Sequence, residues 1–259
     1  AGVIDAEMVA AAPKLRLIQR LGSLTHDIDV AAAKRHGVAV CYWPIRGCIL
    51  VAEHMVMQML ALVKKLPEVK AIAEAAGDWG HPSLRTDENI FAYNWSSRSG
   101  IDGIDGATVG ILGFGEIGAE LARRLIPFRP AQIIYHKRRR LPEAVELELG
   151  LTYAQRNELV AGSDFLCSLL PYYPETDHLL NAALFAEMKR GSFVVHCGSG
   201  SVIDEHALAD AVRRGHVAGA ALDTFEWEPI RPDNPLLPLA RDPVANVLLT
   251  PHTAAGAAR

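Results

Sequence analysis

Ala107-Thr-Val-Gly-Ile-Leu112 runs directly into Gly113-Phe114-Gly115-Glu116-Ile117-Gly118, and the reading of this stretch decides the fold. Thr108 to Leu112 is an apolar run of strand length. Glu116 to Leu125 places Ile117, Leu121 and Leu125 on one helical face. A GxGxxG turn that leaves a strand and opens a helix has the context a dinucleotide requires. Gly113 permits the tight turn, Gly115 lets the backbone approach a pyrophosphate, and Gly118 lets helix and strand pack closely. The helix then offers unpaired N–H groups and a positive dipole end to phosphates, with Glu116 and Ile117 in its first turn. A glycine turn without a ligand is the alternative.

Downstream, short apolar runs alternate with amphipathic stretches. Strands are expected at Ile133 to Tyr135, Phe165 to Leu170 (stopped by Pro171), Phe193 to Cys197, Val217 to Leu222 and Val247 to Leu249. Helices are expected at Glu158 to Ala161, Ala182 to Lys189 and Asp204 to Arg214, the last two closed by Gly191 and Gly215. Strands apolar on both faces and separated by helices imply an α/β fold, a doubly wound parallel sheet of Rossmann type. Upstream, Gly77 to Gly106 is rich in Gly, Ser, Asp, Asn and Trp and reads as an irregular crossing between two lobes. Before it, Val51 to Ala76 reads as a long helix that Pro67 bends or divides.

The chain has 259 residues, 50% of them hydrophobic, and a formal net charge of −4, which argues against disorder and against nucleic acid as a main partner. No uninterrupted apolar run approaches a membrane span, and no basic-then-apolar leader opens the chain, so a cytoplasmic location is expected. Cys41, Cys48, Cys167 and Cys197 show no metal spacing, so no metal site is expected and all four read as buried thiols.

The end of the second strand of such a sheet distinguishes NAD from NADP, because an acidic side chain there receives the ribose hydroxyls. Here His136 is followed by Lys137-Arg138-Arg139-Arg140, with no carboxylate. A run of cations suits a 2′-phosphate, so NADP is expected, with NAD as the alternative. A solvated basic loop is the plain reading.

The sequence resembles the D-isomer-specific 2-hydroxyacid dehydrogenases over nearly its whole length. The resemblance is carried by Lys14 to Arg20 through Asp27-Ile28-Asp29, by Val51-Ala52-Glu53-His54, and by Thr108 to Gly118. It continues in Val202-Ile203-Asp204-Glu205, Gly219 to Asp223, Glu226-Trp227-Glu228-Pro229 and Leu249-Thr250-Pro251-His252. It implies a dinucleotide-binding domain at 100–250 inserted into a smaller α/β substrate lobe made from 1–99 and 251–259. It also implies hydride transfer between NAD(P)H and a 2-oxo acid, and a homodimer formed through the region of the Val51 helix. The face at Met55, Met57 and Met59 is compatible with that contact or with a core. The catalytic acid/base falls at His252, with Glu228 as its partner and Asp223 on the nicotinamide carboxamide. The resemblance adds Leu170, Pro171, Cys197, Gly198 and Gly256 to the cofactor set and assigns Ser23, Leu24, Ile45 and Arg46 to the substrate.

Two departures stand out. The family's catalytic arginine lies in a segment reading roughly Asn-Thr-Ala-Arg-Gly, and here His196-Cys197-Gly198-Ser199-Gly200 puts Ser199 at that position. Serine is one neutral donor on a short stem, with neither charge nor fork. Three readings remain: Arg46 supplies the cation, the substrate differs from a simple 2-oxo acid, or the protein is a nucleotide-binding sensor with little turnover. Secondly, members usually carry more residues ahead of Ala11 and after Gly256, so the substrate lobe is expected to be incomplete at both ends.

Overall fold

The computed structural model describes residues 3–91 and 93–256. The chain first builds a small unit from α1 (Ala6–Ala10), β1 (Leu17–Leu21), α2 (Val30–Arg35) and β2 (Ala39–Trp43). Asp5 and Asp29 cap the two helices by accepting from Met8 N and Ala32 N. The strands pair in parallel, from Leu17 opposite Ala39 to Leu21 opposite Trp43, over a core of Val9, Ile18, Ile28, Ala33 and Val38.

Next come α3 (Arg46–Val63) and α4 (Leu66–Ala75). The single helix expected from Val51 thus begins earlier, at Arg46, and breaks at Lys65, whose φ is 49°. Pro67 does not cause a kink. It sits in the first turn of α4, where its missing N–H has no partner to lose. Although α3 has the length and composition of a membrane span, it lies against α5 and the large sheet. Val51, Ala52, Met55, Met59, Leu62 and Val63 share a core with Val109, Ile111 and Val195. α3 thus contributes to the core of the larger unit. Met55 and Met59 are fully buried there, and Met57 is exposed.

The larger unit continues through β3 (Thr108–Leu112), α5 (Glu116–Leu125), β4 (Gln132–His136), α6 (Glu143–Leu149), β5 (Leu151–Tyr153), α7 (Arg156–Gly162), β6 (Phe165–Ser168), α8 (Ala182–Glu187), β7 (Ser192–His196), α9 (Glu205–Arg213), β8 (Val217–Leu222), α10 (Leu237–Arg241) and β9 (Val247–Leu249). Its seven strands are all parallel and lie in the order β5-β4-β3-β6-β7-β8-β9. Alternate side chains enter opposite cores. Val109, Ile111, Ile133 and Tyr135 meet α3 and α5 on one face, while Leu112, Ile134 and Leu166 meet α7, α8 and α9 on the other. The doubly wound expectation holds, and the strand order reverses at β3 and β6, so a crevice opens beyond their carboxyl ends. Among the described residues, Gly77 to Gly106 contains neither helix nor strand.

Close packing of strand on helix occurs at an unexpected glycine. A Cβ on Gly110 would overlap the Ser163 hydroxyl and come within 3.0 Å of Leu159 in α7. Gly118, expected to serve that purpose, instead faces the ring of Phe114 at 3.0 Å.

Candidate functional site

The glycine turn crosses the end of β3. Gly113 has φ +87° and donates its N–H to His136 O at 3.0 Å, and a Cβ there would meet the Leu169–Leu170 backbone at 2.9 Å. Gly115 precedes α5 without a side-chain cap, and nothing lies within 4 Å of the position of its missing Cβ. Uncapped helical N–H groups facing open space fit a pyrophosphate. Gly198 lets the loops after β6 and β7 come together, since its Cβ would stand 2.6 Å from Leu170 O.

Glu116 turns away from the phosphate side. Its Oε2 accepts from Ser23 N (2.6 Å) and Ser23 Oγ (3.1 Å), and its Oε1 from Leu24 N (3.3 Å). A Cβ on Gly22, whose φ is +112°, would collide with this carboxylate. Ser23 and Leu24, expected at the substrate, are therefore engaged by Glu116, with Arg123 Nη1 on Ser23 Oγ at 2.8 Å.

Beyond β4, His136 Nδ1 lies 2.9 Å from Ala154 O. Lys137, Arg138 and Arg139 make no ion pair among the described residues, and Arg138 sits 5.2 Å from the centre of the Tyr173 ring. Burial, followed by the charge of Arg139, lowers the Lys137 pKa from its ordinary value. Arg140 is committed elsewhere, to a bidentate pair with Glu146 at 2.8 and 2.7 Å.

A cleft of about 580 Å³ opens at the carboxyl ends of the strands. Ile117, Leu170, Pro171, Cys197, Gly198, Ser199, Glu226, Glu228 and His252 are among its lining residues. His252 Nδ1 lies 2.6 Å from Glu228 Oε2, and Phe225 N donates to Glu228 Oε1 at 3.0 Å. The carboxylate is thus fixed from the backbone and fixes the ring in turn, leaving Nε2 as the nitrogen with no protein partner among the described residues. Ser199 Oγ accepts from Tyr172 N at 3.0 Å, so its hydroxyl proton remains available.

Among the described residues no guanidinium lines the cleft. Arg46 is exposed at the start of α3, does not line the cleft, and makes no ion pair among the described residues; its neighbour Ile45 is also exposed. Gly256, expected at the cofactor, instead packs on α3, where its Cβ would stand 2.9 Å from Leu50.

The bonds that support the site carried no sequence signal. Asp223, expected on the carboxamide, is almost fully buried and accepts from Thr250 Oγ1 (2.6 Å), Thr253 N (3.1 Å) and Ala254 N (2.9 Å). His54 Nε2 joins the same cluster, 3.0 Å from Thr250 Oγ1. These bonds brace the chain on both sides of His252. His196, fully buried, lies with Nε2 3.2 Å from Ser199 O, and burial holds its pKa down at about 4. Its Nδ1 and the hydroxyl of Ser168, its partner in β6, have no hydrogen-bond partner among the described residues. Burial raises the Cys197 thiol pKa and brings that of Cys167 to about 12, so neither acts as a thiolate. Of the four thiols expected to be buried, Cys41 is exposed and Cys48 and Cys197 are half-buried. Among the described residues no cluster of His, Cys, Asp or Glu could hold a metal.

The profile of the family described as D-isomer specific 2-hydroxyacid dehydrogenase, NAD binding domain, matches residues 56–254. D-3-phosphoglycerate dehydrogenase of Mycobacterium leprae is 37% identical over all of this chain but only 44% of its own length. Glyoxylate reductase of Korarchaeum cryptofilum is 34% identical over 97% of this chain and 70% of its own. The structure of a Granulicella formate dehydrogenase superposes with a TM-score of 0.70 at 32% identity, covering 98% of this chain and 63% of that one. The chain thus spans less than half the length of the phosphoglycerate dehydrogenase.

Proposed function

The chain belongs to the D-isomer specific 2-hydroxyacid dehydrogenase family, and from that premise we propose that it transfers a hydride between a nicotinamide dinucleotide and the carbonyl carbon of a 2-oxo acid. The observation that carries the reading is the 2.6 Å contact of His252 with Glu228, at the mouth of a cleft lined by the loops that follow β6 and β7. When bound, the dinucleotide supplies the hydride. The chain's own residues manage the proton: Glu228 accepts from Nδ1–H and stabilises the protonated ring, and Nε2 delivers a proton to the oxygen that becomes the hydroxyl. Ser199 donates its hydroxyl hydrogen toward the same oxygen. In the reverse direction, His252 takes the proton back.

NADP is the preferred cofactor. Lys137, Arg138 and Arg139, unpaired among the described residues, support this, as does the absence of a carboxylate at the end of β4. The exposed Leu84, Phe91 and Tyr93 of the crossing support a homodimer, and four free thiols support a reducing, cytoplasmic location.

A second reading, a nucleotide-binding relative with little turnover, is favoured by one observation: among the described residues the charged groups lining the cleft are Glu226, Glu228 and His252, with no guanidinium for a substrate carboxylate. Mixing the protein with NADPH and glyoxylate, pyruvate, hydroxypyruvate or phenylpyruvate separates the two. A falling absorbance supports the enzyme, whereas tight NADPH binding without oxidation supports the binding protein. Ser199→Arg then shows whether the missing cation limits the rate, because restoring a clamp on a simple 2-oxo acid raises kcat/KM by about tenfold or more.

A further inference from the structure

The structure divides the four consecutive cations after β4 into two groups. Lys137, Arg138 and Arg139 carry no ion pair among the described residues, whereas Arg140 is held at both ends of its fork. Its Nε donates to Glu146 Oε1 at 2.8 Å and its Nη2 to Glu146 Oε2 at 2.7 Å. The same Oε1 accepts from the Tyr135 hydroxyl at 2.6 Å, and that hydroxyl accepts from Leu141 N at 2.8 Å. Tyr135, the penultimate residue of β4, is fully buried, and Glu146 on α6 is nearly so. The Arg140 guanidinium also stands 5.6 Å from the Tyr153 ring on β5.

The two ends of the basic loop are therefore anchored. His136 is tied to Ala154 O at 2.9 Å, and Leu141 is tied through Tyr135 to Glu146. Three like charges in sequence repel one another and would splay a free loop. A loop fixed at both ends limits that splaying and keeps the three cations on one short span. The pair with Arg140 also neutralises Glu146, a carboxylate that would otherwise oppose a phosphate. Arg140 holds the Glu146 carboxyl below the usual carboxylate range.

We infer that Tyr135, Arg140 and Glu146 form a strut that presents Lys137, Arg138 and Arg139 to the 2′-phosphate of the dinucleotide. Arg140 is a positioning residue for cofactor choice and not a phosphate ligand. This rests on the NADP preference proposed above.

The test is equilibrium binding of NADPH and NADH, followed by nucleotide fluorescence without substrate, in the wild type, Arg140→Met, Glu146→Gln and Tyr135→Phe. The wild type binds NADPH more tightly than NADH. Both Arg140→Met and Glu146→Gln reduce that preference by about tenfold, through the NADPH affinity, while the NADH affinity stays within about twofold. Tyr135→Phe keeps the ion pair, removes the hydroxyl's bonds to Glu146 and Leu141, and reduces the preference by about threefold. A direct phosphate ligand behaves differently: Arg140→Met loses affinity, but Glu146→Gln frees the guanidinium and keeps or gains it, and that result overturns the strut. An unchanged preference in the variants that fold also overturns it; if the two ion-pair variants fail to fold, Tyr135→Phe decides. A wild type that binds NADH as tightly as NADPH removes the cofactor preference itself, and is recognised without any variant.

Discussion

Replacing Glu228 by glutamine changes one atom type and isolates what the carboxylate does for His252. Both carboxylate oxygens accept, Oε1 from Phe225 N at 3.0 Å and Oε2 from His252 Nδ1 at 2.6 Å. A carboxamide has a single acceptor oxygen. If that oxygen stays on Phe225, the amide NH₂ faces Nδ1 and favours the tautomer that carries its hydrogen on Nε2, which cannot hold a second proton without repulsion. If the amide turns over, the NH₂ faces the Phe225 N–H instead. Either arrangement loses one bond to a charged group, worth about 1.5–3 kcal/mol when removed. The pair is partly exposed, with side chains 59% and 35% accessible, so the lower end applies. About 1.5 kcal/mol corresponds to a fall of about tenfold in kcat for carbonyl reduction. Steady-state oxidation of NADPH by glyoxylate or hydroxypyruvate reads this directly, and equilibrium NADPH binding on the same samples separates a loss in the chemical step from a loss of cofactor. Glu228→Gln within twofold of wild type in kcat would refute the argument that the carboxylate sets the His252 tautomer.

Other expectations follow from single contacts. Gly115→Ala fits without collision, as nothing lies within 4 Å, yet its methyl occupies the space a pyrophosphate needs; melting stays unchanged while dinucleotide affinity falls by about tenfold or more, and unaltered binding contradicts the site. Burial lowers the folded-state pKa of His196 to about 4, below its unfolded value near 6.5, so the unfolded chain binds the extra proton as pH falls through that window. Stability dependent on His196 is present above about pH 6.5 and about 2 kcal/mol of it is gone by about pH 5; denaturant melts of His196→Asn should lack this share of the acid loss, and equal losses in both proteins contradict it. Glu116→Gln keeps one acceptor for the Ser23–Leu24 turn but loses the charge, so amide exchange at Ser23 and Leu24 speeds up by about tenfold, and unchanged protection contradicts the latch.

The centre of the fold is legible because its signals are local. Thr108 to Leu112, Glu116 to Leu125, Val217 to Leu222 and Val247 to Leu249 have the boundaries their apolar runs predict. The edges are less so. β5 is only Leu151–Tyr153 and is defined by pairing with β4, while the acidic sequence of α6 at Glu143–Leu149 presents little apolar periodicity. The early start of α3 escapes notice because Ile45 provides no capping side chain. In the candidate site, residue types with intrinsic chemistry draw attention, whereas their supports do not. The bonds of Asp223 to Thr253 and Ala254, and of His196 to Ser199, depend on which loops the sheet brings together. The commitment of Arg140 is likewise invisible in a run of four cations, since only the return of α6 places Glu146 against it.

The most direct measurement is a single turnover: enzyme in excess over NADPH, mixed rapidly with glyoxylate, for wild type and His252→Ala, with NADPH binding recorded in the same samples. The account predicts that both proteins bind NADPH equally, that the wild type oxidises it, and that the variant does so at least about 10²-fold more slowly. Oxidation by His252→Ala at the wild-type rate, or bound NADPH that no 2-oxo acid discharges in the wild type, would contradict it.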